Sequence, residues 1–202
     1  MTDYGILQMI GHTKKLLRAE KMNSNQDQPK PQKIKITGEI SLKLVGCVYY
    51  GDPFHSNEEW SVNNEIGVLW GRFYKLYGEL GDVLQKGAVG DVAYELHLQP
   101  EDYPETGKFY VYVGIEVENL DEMPIEMFCK ALPPTKYAVF TFKGEDMFSG
   151  GEYIWNEWLS RSKYDEAHPF MILAYHKNRY KGMEDPESEV DFLVPIKNKP
   201  DE

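Results

Sequence analysis

An internal duplication constrains the fold of this chain more than any other sequence feature. Val45–Phe54 and Ala138–Phe148 each run from a strand of β-branched and aromatic residues through a glycine and an acid to a phenylalanine. An aromatic-bearing helical pattern and two further strand patterns follow each segment. A repeated strand–helix–strand–strand unit predicts an α+β fold of antiparallel sheets, with helices on one side.

Apolar periodicity gives the approximate position of each element. A helix is indicated by the stripe from Ile66 to Leu80, and Gly81 is expected to end it. The predicted strands of the first repeat are 40–50, 91–98 and 108–118. The second repeat is predicted to contain strands 127–132 and 136–143, a helix over 150–160, and strands 170–176 and 189–196.

The chain divides into three parts. Residues 1–33 predict a short basic helix followed by a polar linker that ends in Pro29 and Pro31. This part is interpreted as a solvated or packing arm, or as the remnant of a DNA-binding or dimerisation element. Residues 34–197 form the predicted domain, with pseudo-repeats of about 34–119 and 120–197, and residues 198–202 are a tail.

The charge balance excludes several function classes. Lys and Arg number 22 against 33 Asp and Glu, which gives a net charge of −11. A general nucleic-acid binder needs a basic face to neutralise phosphates, and an anionic membrane surface attracts basic segments. We therefore expect no direct nucleic-acid or membrane partner. The sequence begins without an apolar signal-peptide core and has no apolar run near the roughly 18 residues of a membrane span, so we expect a cytoplasmic location.

Cofactor and metal chemistry have no support in the sequence. No P-loop, GxGxxG or GxSxG motif occurs, so no cofactor is expected. The five histidines and two cysteines have no metal-ligand spacing, so no metal site is expected either. Cys47 and Cys129 both lie in apolar runs and are predicted to be buried core residues without a disulfide.

The strand over 108–118 is the most informative segment for function. Alternation places Val111 and Val113 on one face, suited to packing under helices, and Tyr112 and Glu116 on the other. Burying a carboxylate is costly unless it is paired. Glu116 is therefore either solvated or paired with a basic side chain, or it is an acid in the wall of an aromatic cleft.

An aromatic cleft with an acid favours flat, lipophilic cations. Each ring attracts a cation by about 0.5–2 kcal/mol, and a carboxylate about 4 Å away adds up to about 4 kcal/mol at an effective dielectric near 20. For the helix aromatics, core packing is the alternative interpretation. The candidate ligand-binding residues are Glu116, Tyr112, Trp70, Tyr74, Phe109, Tyr137, Trp155 and Tyr175, with Glu189 and Asp191 from the last strand.

Five segments in a fixed order carry a resemblance to a known family. They are 66–73, 112–117, 132–140, 157–162 and 185–196. Together they resemble the GyrI-like effector-binding domain of Rob-type AraC-family and MerR-family multidrug regulators, and most closely its stand-alone integron-cassette (Cass-type) branch. The resemblance covers about residues 34–197. In that family the penultimate strand often carries a carboxylate in a Phe-Glu-x-Tyr-like segment, whereas Phe170–Tyr175 contains no acid.

The resemblance implies a stand-alone sensor or sequestering protein for a small hydrophobic or cationic ligand, which would bind in a cleft between the repeats. A protein partner, such as a regulator, or a homodimer is also compatible with it. Two alternatives remain open: a hydrolase of cyclopropanoid genotoxins, in which Glu116 or Glu189 would replace the missing acid, and a gyrase-inhibitor-like interaction module. No catalytic residue is assigned, and the absent carboxylate makes an enzyme the weaker interpretation.

Overall fold

The computed structural model describes residues 29–55 and 64–200. Nine strands form one antiparallel sheet in the order β1-β6-β9-β8-β3-β4-β2-β5, and β7 pairs with the end of β9. The strands are β1 Lys33–Ile40, β2 Lys43–Gly51, β3 Ala88–Leu98, β4 Phe109–Val117, β5 Phe128–Ala131, β6 Thr135–Lys143, β7 Tyr164–Glu166, β8 Phe170–His176 and β9 Glu189–Asn198. The predicted helix within residues 1–28 lies outside the described residues.

The duplication is visible in the strand order. β2, β4 and β3 form one half of the sheet, and β6, β9 and β8 form the other half in the same relative order. Pairing of β3 with β8, with Glu95 opposite Leu173, joins the two halves. The predicted α+β class is confirmed, and the two sheets of the repeats are continuous.

Helix α1, Glu65–Leu84, begins where Asn64 caps it, since the Asn64 side chain accepts a hydrogen bond from the Gly67 N–H at 3.0 Å. The prediction that Gly81 ends this helix is wrong. The helix continues for another turn because buried Leu84 extends its apolar stripe, and the Gly81 carbonyl accepts from the Gln85 N–H. The short helix α2 spans Tyr103–Thr106.

The second repeat contains a more irregular helical region. It starts with the 3₁₀ segment Gly144–Phe148, continues as α3, Gly150–Tyr153, and passes into a π-helical segment, Ile154–Leu159. The register of the sheet shows that this region and α1 cover the same face, which we call the helix face. None of the described helices is long and apolar enough to span a membrane.

Packing divides into three clusters. α1 packs Phe73 over Val45 and Val113, and the second helical region packs Ile154 over Phe140 on the same face. The opposite face of the sheet carries a third cluster that includes Leu44, Leu96, Tyr112, Tyr137 and Ile172.

The prediction for the cysteines holds for only one of them. Cys47 is buried under α1, but Cys129 is exposed because β5 is an edge strand. Both thiols are free.

Candidate ligand-binding site

A cavity of about 240 Å³ lies on the helix face, above the junction of β3 and β8. α1 lines one side of it, and β8, β9, the loop between them and the 3₁₀ segment line the other. Tyr74 and Phe148 line it yet are 60% and 44% exposed, so they form its rim. The lining aromatic residues are Trp70, Tyr74, Phe148, Tyr175, Tyr180 and Phe192, and the aliphatic ones include Ile66, Met147, Leu173, Met183 and Val190.

One acidic residue, Glu95 of β3, lies at the base of the cavity and is only 1% exposed. Its Oε2 accepts hydrogen bonds from Trp70 Nε1 at 2.6 Å and from the Tyr175 hydroxyl at 3.5 Å. Its Oε1 lies 2.7 Å from Nε2 of His97. A buried carboxylate is costly without such partners, so these contacts from α1, β8 and β3 make the buried charge tolerable.

The aromatic rings form a continuous wall above Glu95. The Trp70 ring stacks on Tyr74 at 5.5 Å and meets the edge of Tyr175 at 5.4 Å. Tyr175 contacts Tyr180 in turn, at 4.9 Å. Burial raises the pKa of all three tyrosines, and the Glu95 carboxylate raises that of Tyr175 and Tyr180 further. The phenols therefore stay neutral at physiological pH.

Three of the predicted site residues come together here: Trp70, Tyr74 and Tyr175 all line the cavity. Two belong to α1 and one to β8, so the pairing of β3 with β8 brings the repeats' aromatic residues to one place.

Glu116 and Tyr112 are not brought to the cavity. They lie on the opposite face of the sheet, because β4 turns Val111 and Val113 toward α1. Glu116 accepts a hydrogen bond from the Tyr94 hydroxyl at 3.3 Å, and burial raises the pKa of its carboxyl. The expectation that Glu116 lies in the cleft wall is therefore corrected, since the cleft is on the other side of β4.

Glu189 and Asp191 also lie outside the cavity. Arg179 contacts both, with NH1 3.2 Å from Glu189 Oε2 and 3.1 Å from Asp191 Oδ1. Asp191 further accepts from the Thr141 hydroxyl at 2.6 Å. Burial alone would raise the pKa of Asp191, but the hydrogen bonds from Arg179 and Thr141 outweigh it and lower this pKa. Both acids are therefore occupied by an ion-pair network on the opposite face.

The remaining predicted residues are core residues. Phe109 packs under α1 against Tyr103 and His97. Tyr137 is fully buried on the opposite face, and Trp155 packs in the second helix-face cluster, away from the cavity lining. Core packing, the alternative interpretation given for the helix aromatics, applies to Trp155, and the strand residues Phe109 and Tyr137 are core residues as well.

Sequence reasoning missed Glu95, which lies at the centre of the site. A signal was available: Tyr94-Glu95-Leu96-His97 is itself an aromatic–Glu–x–aromatic-like segment, placed in the strand that pairs with β8. The acid was sought in β8, whereas it lies directly across from it in β3. Tyr180, in the loop after β8, was also missed because no periodicity marks loop residues.

Within the described parts of the chain, no group of three His, Cys, Asp or Glu side chains is placed to hold a metal ion. To a ligand, the cavity offers the Glu95 carboxylate, neutral hydrogen-bond donors such as Trp70 and Tyr175, and aromatic surface. A helix-covered antiparallel sheet with such a cavity at the junction of two repeats defines an effector-binding domain.

Comparison with known proteins supports this class. Residues 35–196 match the family of integron-associated effector-binding proteins, and the chain belongs to that family. It is 27% identical over 164 residues to the transcriptional regulator BrlR of Pseudomonas aeruginosa. That match covers 80% of this chain and 54% of BrlR, so the chain spans about half the length of this curated relative.

Solved structures share the fold at low sequence identity. The integron cassette protein VCH_CASS2 of Vibrio cholerae has a TM-score of 0.55 at 19% identity, over 83% of this chain and 98% of that one. SAV2435, solved bound to tetraphenylphosphonium, has a TM-score of 0.60 at 16% identity, over 82% and 94%. The C-terminal domain of EcmrR has a TM-score of 0.53 at 12% identity, over 83% and 98%.

Proposed function

We propose that this protein binds lipophilic aromatic cations in the cavity above Glu95, as a sensor or sequestering module. The observation that carries the proposal is a carboxylate only 1% exposed beneath a wall of aromatic rings. At an effective dielectric near 20, a cation about 4 Å from this carboxylate gains about 4 kcal/mol. The rings add attraction through their faces and large contact area.

The hydrogen bonds around Glu95 indicate the kind of cation. Oε2 already accepts from Trp70 and Tyr175, and Oε1 is in contact with His97. A ligand that must donate an N–H to the carboxylate would compete with these contacts. A cation with delocalised or shielded charge needs only proximity, and the tetraphenylphosphonium bound by SAV2435 is of this kind.

Isothermal titration with tetraphenylphosphonium tests the proposal. We expect Glu95→Gln to weaken binding at least tenfold, because the substitution removes the charge and keeps the side-chain shape. Glu116→Gln is the matched control, since it makes the same change on the opposite face of the sheet. Equal affinity of Glu95→Gln and the unmodified protein, or no binding by either, would contradict the proposal.

The biological setting follows from the relatives. BrlR, to which this chain is 27% identical over 164 residues, is a transcriptional regulator, so we propose that the ligand signal is passed to a protein partner or a second copy of this chain. The comparisons favour ligand binding over the hydrolase and gyrase-inhibitor alternatives. Two free thiols suit a reducing compartment, so we keep the cytoplasm as the expected location.

A further inference from the structure

The loop between β8 and β9, residues 177–188, joins the cavity to the ion-pair network on the other side of the sheet. Tyr180 of this loop lines the cavity on the helix face, where its ring lies 4.9 Å from that of Tyr175. Arg179, the preceding residue, reaches the opposite face, where its guanidinium contacts Glu189 and Asp191. Two consecutive loop residues therefore contact the end of the sheet from its two faces.

The guanidinium of Arg179 has a well-defined place on the opposite face. One terminal nitrogen lies between Glu189 and Asp191, and the other contacts the second carboxylate oxygen of Asp191. A planar guanidinium that meets both oxygens of a carboxylate is fixed in orientation as well as in distance. Asp191 is held in turn by the Thr141 hydroxyl of β6 at 2.6 Å and by Nε2 of His176 at 3.0 Å. Because the network is partly buried, water screens its charges less than those of an exposed pair.

Backbone hydrogen bonds link the position of Arg179 to that of Tyr180. The N–H groups of both residues donate to the carbonyl of His176, at 2.9 Å and 2.8 Å. The Arg179 carbonyl accepts from the Glu189 N–H at 3.2 Å, where β9 begins. Tyr180 follows Arg179 by a single peptide bond, so a displacement of Arg179 also displaces the ring beside Tyr175.

We propose that Arg179 is a positioning residue, which holds the ring of Tyr180 in the cavity wall through its ion pairs on the opposite face. This inference rests on the proposed function. Loop residues are more mobile than the strands they connect, and ordering a side chain during binding lowers affinity. Ion pairs that order Tyr180 beforehand therefore raise ligand affinity, although Arg179 is not among the residues that line the cavity.

A double-mutant cycle tests whether Arg179 acts through Tyr180. Isothermal titration with tetraphenylphosphonium at neutral pH is applied to the whole chain, to Arg179→Gln, to Tyr180→Ala and to the variant with both substitutions. Arg161→Gln is the matched control, because Arg161 forms an exposed ion pair with Glu157 at 2.9 Å in the second helical region. Urea unfolding shows that each variant is folded under the conditions of the titration.

Tyr180→Ala should weaken binding by about threefold to thirtyfold, because it removes a ring from the wall. Arg179→Gln should weaken binding by about threefold to tenfold, the effect of leaving one side chain to be ordered by the ligand. Arg161→Gln should change the affinity by less than about twofold. Arg179→Lys keeps the charge without the planar guanidinium, so it should lose less affinity than Arg179→Gln.

The combined variant gives the decisive comparison. In the Tyr180→Ala background, Arg179→Gln should change the affinity by less than about twofold, because the ring that Arg179 positions is gone. A general loosening of the fold would instead weaken binding by the same factor in both backgrounds, and that result would overturn the inference.

Other outcomes would also overturn the inference while leaving the proposed function intact. They are an unchanged affinity in Arg179→Gln or in Tyr180→Ala, and a loss in Arg179→Lys as large as that in Arg179→Gln. Absence of tetraphenylphosphonium binding by the unmodified protein would overturn the proposed function and this inference with it. If Arg179→Gln does not fold, the same cycle is measured with Asp191→Asn, which weakens the same ion pairs from the strand side, and the same comparison of backgrounds decides.

Discussion

Trp70 of α1 donates its indole N–H to Oε2 of Glu95 in β3 across 2.6 Å. The hydrogen bond ties the helix to the strand at the base of the cavity. It also turns the indole ring toward Tyr74 and Tyr175, so one side chain stabilises the buried carboxylate and supplies ligand-binding surface.

Trp70→Phe should weaken tetraphenylphosphonium binding by about threefold to thirtyfold. Phe offers a smaller ring with a weaker attraction for cations, and it removes a charge-assisted hydrogen bond worth about 1.5–3 kcal/mol to Glu95. Trp158→Phe is the matched control, because Trp158 packs against Phe140 and Tyr164 rather than the cavity. Isothermal titration measures both, and unchanged binding by Trp70→Phe would show that the indole is dispensable.

Strand periodicity predicted which residues share a face, and it did so correctly for β4 and β9. It could not show which face the ligand cavity occupies. Glu116 was selected because its face of β4 combines tyrosines with an acid, yet that face is buried by contacts such as those of Tyr94 and Tyr112 with their neighbours. The cavity instead forms on the helix face, where the acid comes from β3.

The sequence patterns could not predict which strands of the two repeats pair with each other. The duplication predicted both repeats, but only the β3–β8 register places Glu95 near Tyr175. Trp155, which the sequence nominated together with Trp70 as a ligand-binding residue, packs in a core cluster, and Trp70 lines the cavity. The second helical region changes from α to π geometry at Ile154, which is a local backbone choice that apolar periodicity does not reveal.

Gly114→Ala should lower the free energy of unfolding by about 2–3 kcal/mol or more. A Cβ at this position would lie 2.3 Å from the carbonyl oxygen of Val45 in the neighbouring strand, so the backbone must shift. Gly78→Ala is the control, since its Cβ meets nothing within 4 Å on α1 and alanine is the better helix former. Urea unfolding that gave both variants the stability of the unmodified protein would refute the close approach of β2 and β4.

Asp191→Asn should destabilise the protein by about 1–3 kcal/mol at pH 7, because it removes one of the two carboxylates that pair with Arg179 in a half-buried site and leaves Glu189 as the other. The folded-state pKa of Asp191 lies below its ordinary value. The contribution of the ionised Asp191 side chain to the free energy of unfolding is therefore fully present above the unfolded-state pKa of about 4. This contribution is lost as pH falls through the folded-state pKa.

The stability difference between Asp191→Asn and the unmodified protein should narrow between pH 5 and pH 3, as measured by urea unfolding. Glu187→Gln is the control, because Glu187 forms an exposed ion pair with Lys143 at 2.7 Å. This substitution should lower the free energy of unfolding by less than about 1 kcal/mol. A difference that stayed constant down to pH 3, or grew, would contradict the assigned direction of the Asp191 pKa.

The two thiols should differ sharply in reactivity. Cys47 is 1% exposed and burial raises the pKa of its thiol, whereas Cys129 is exposed on edge strand β5. Because the thiolate is the reactive form, a disulfide reagent such as Ellman's should modify one thiol per native chain and two per denatured chain. Cys129→Ser should abolish the native reaction, and Cys47→Ser should leave it unchanged. Rapid reaction of both thiols in the native protein would contradict the burial of Cys47 beneath α1.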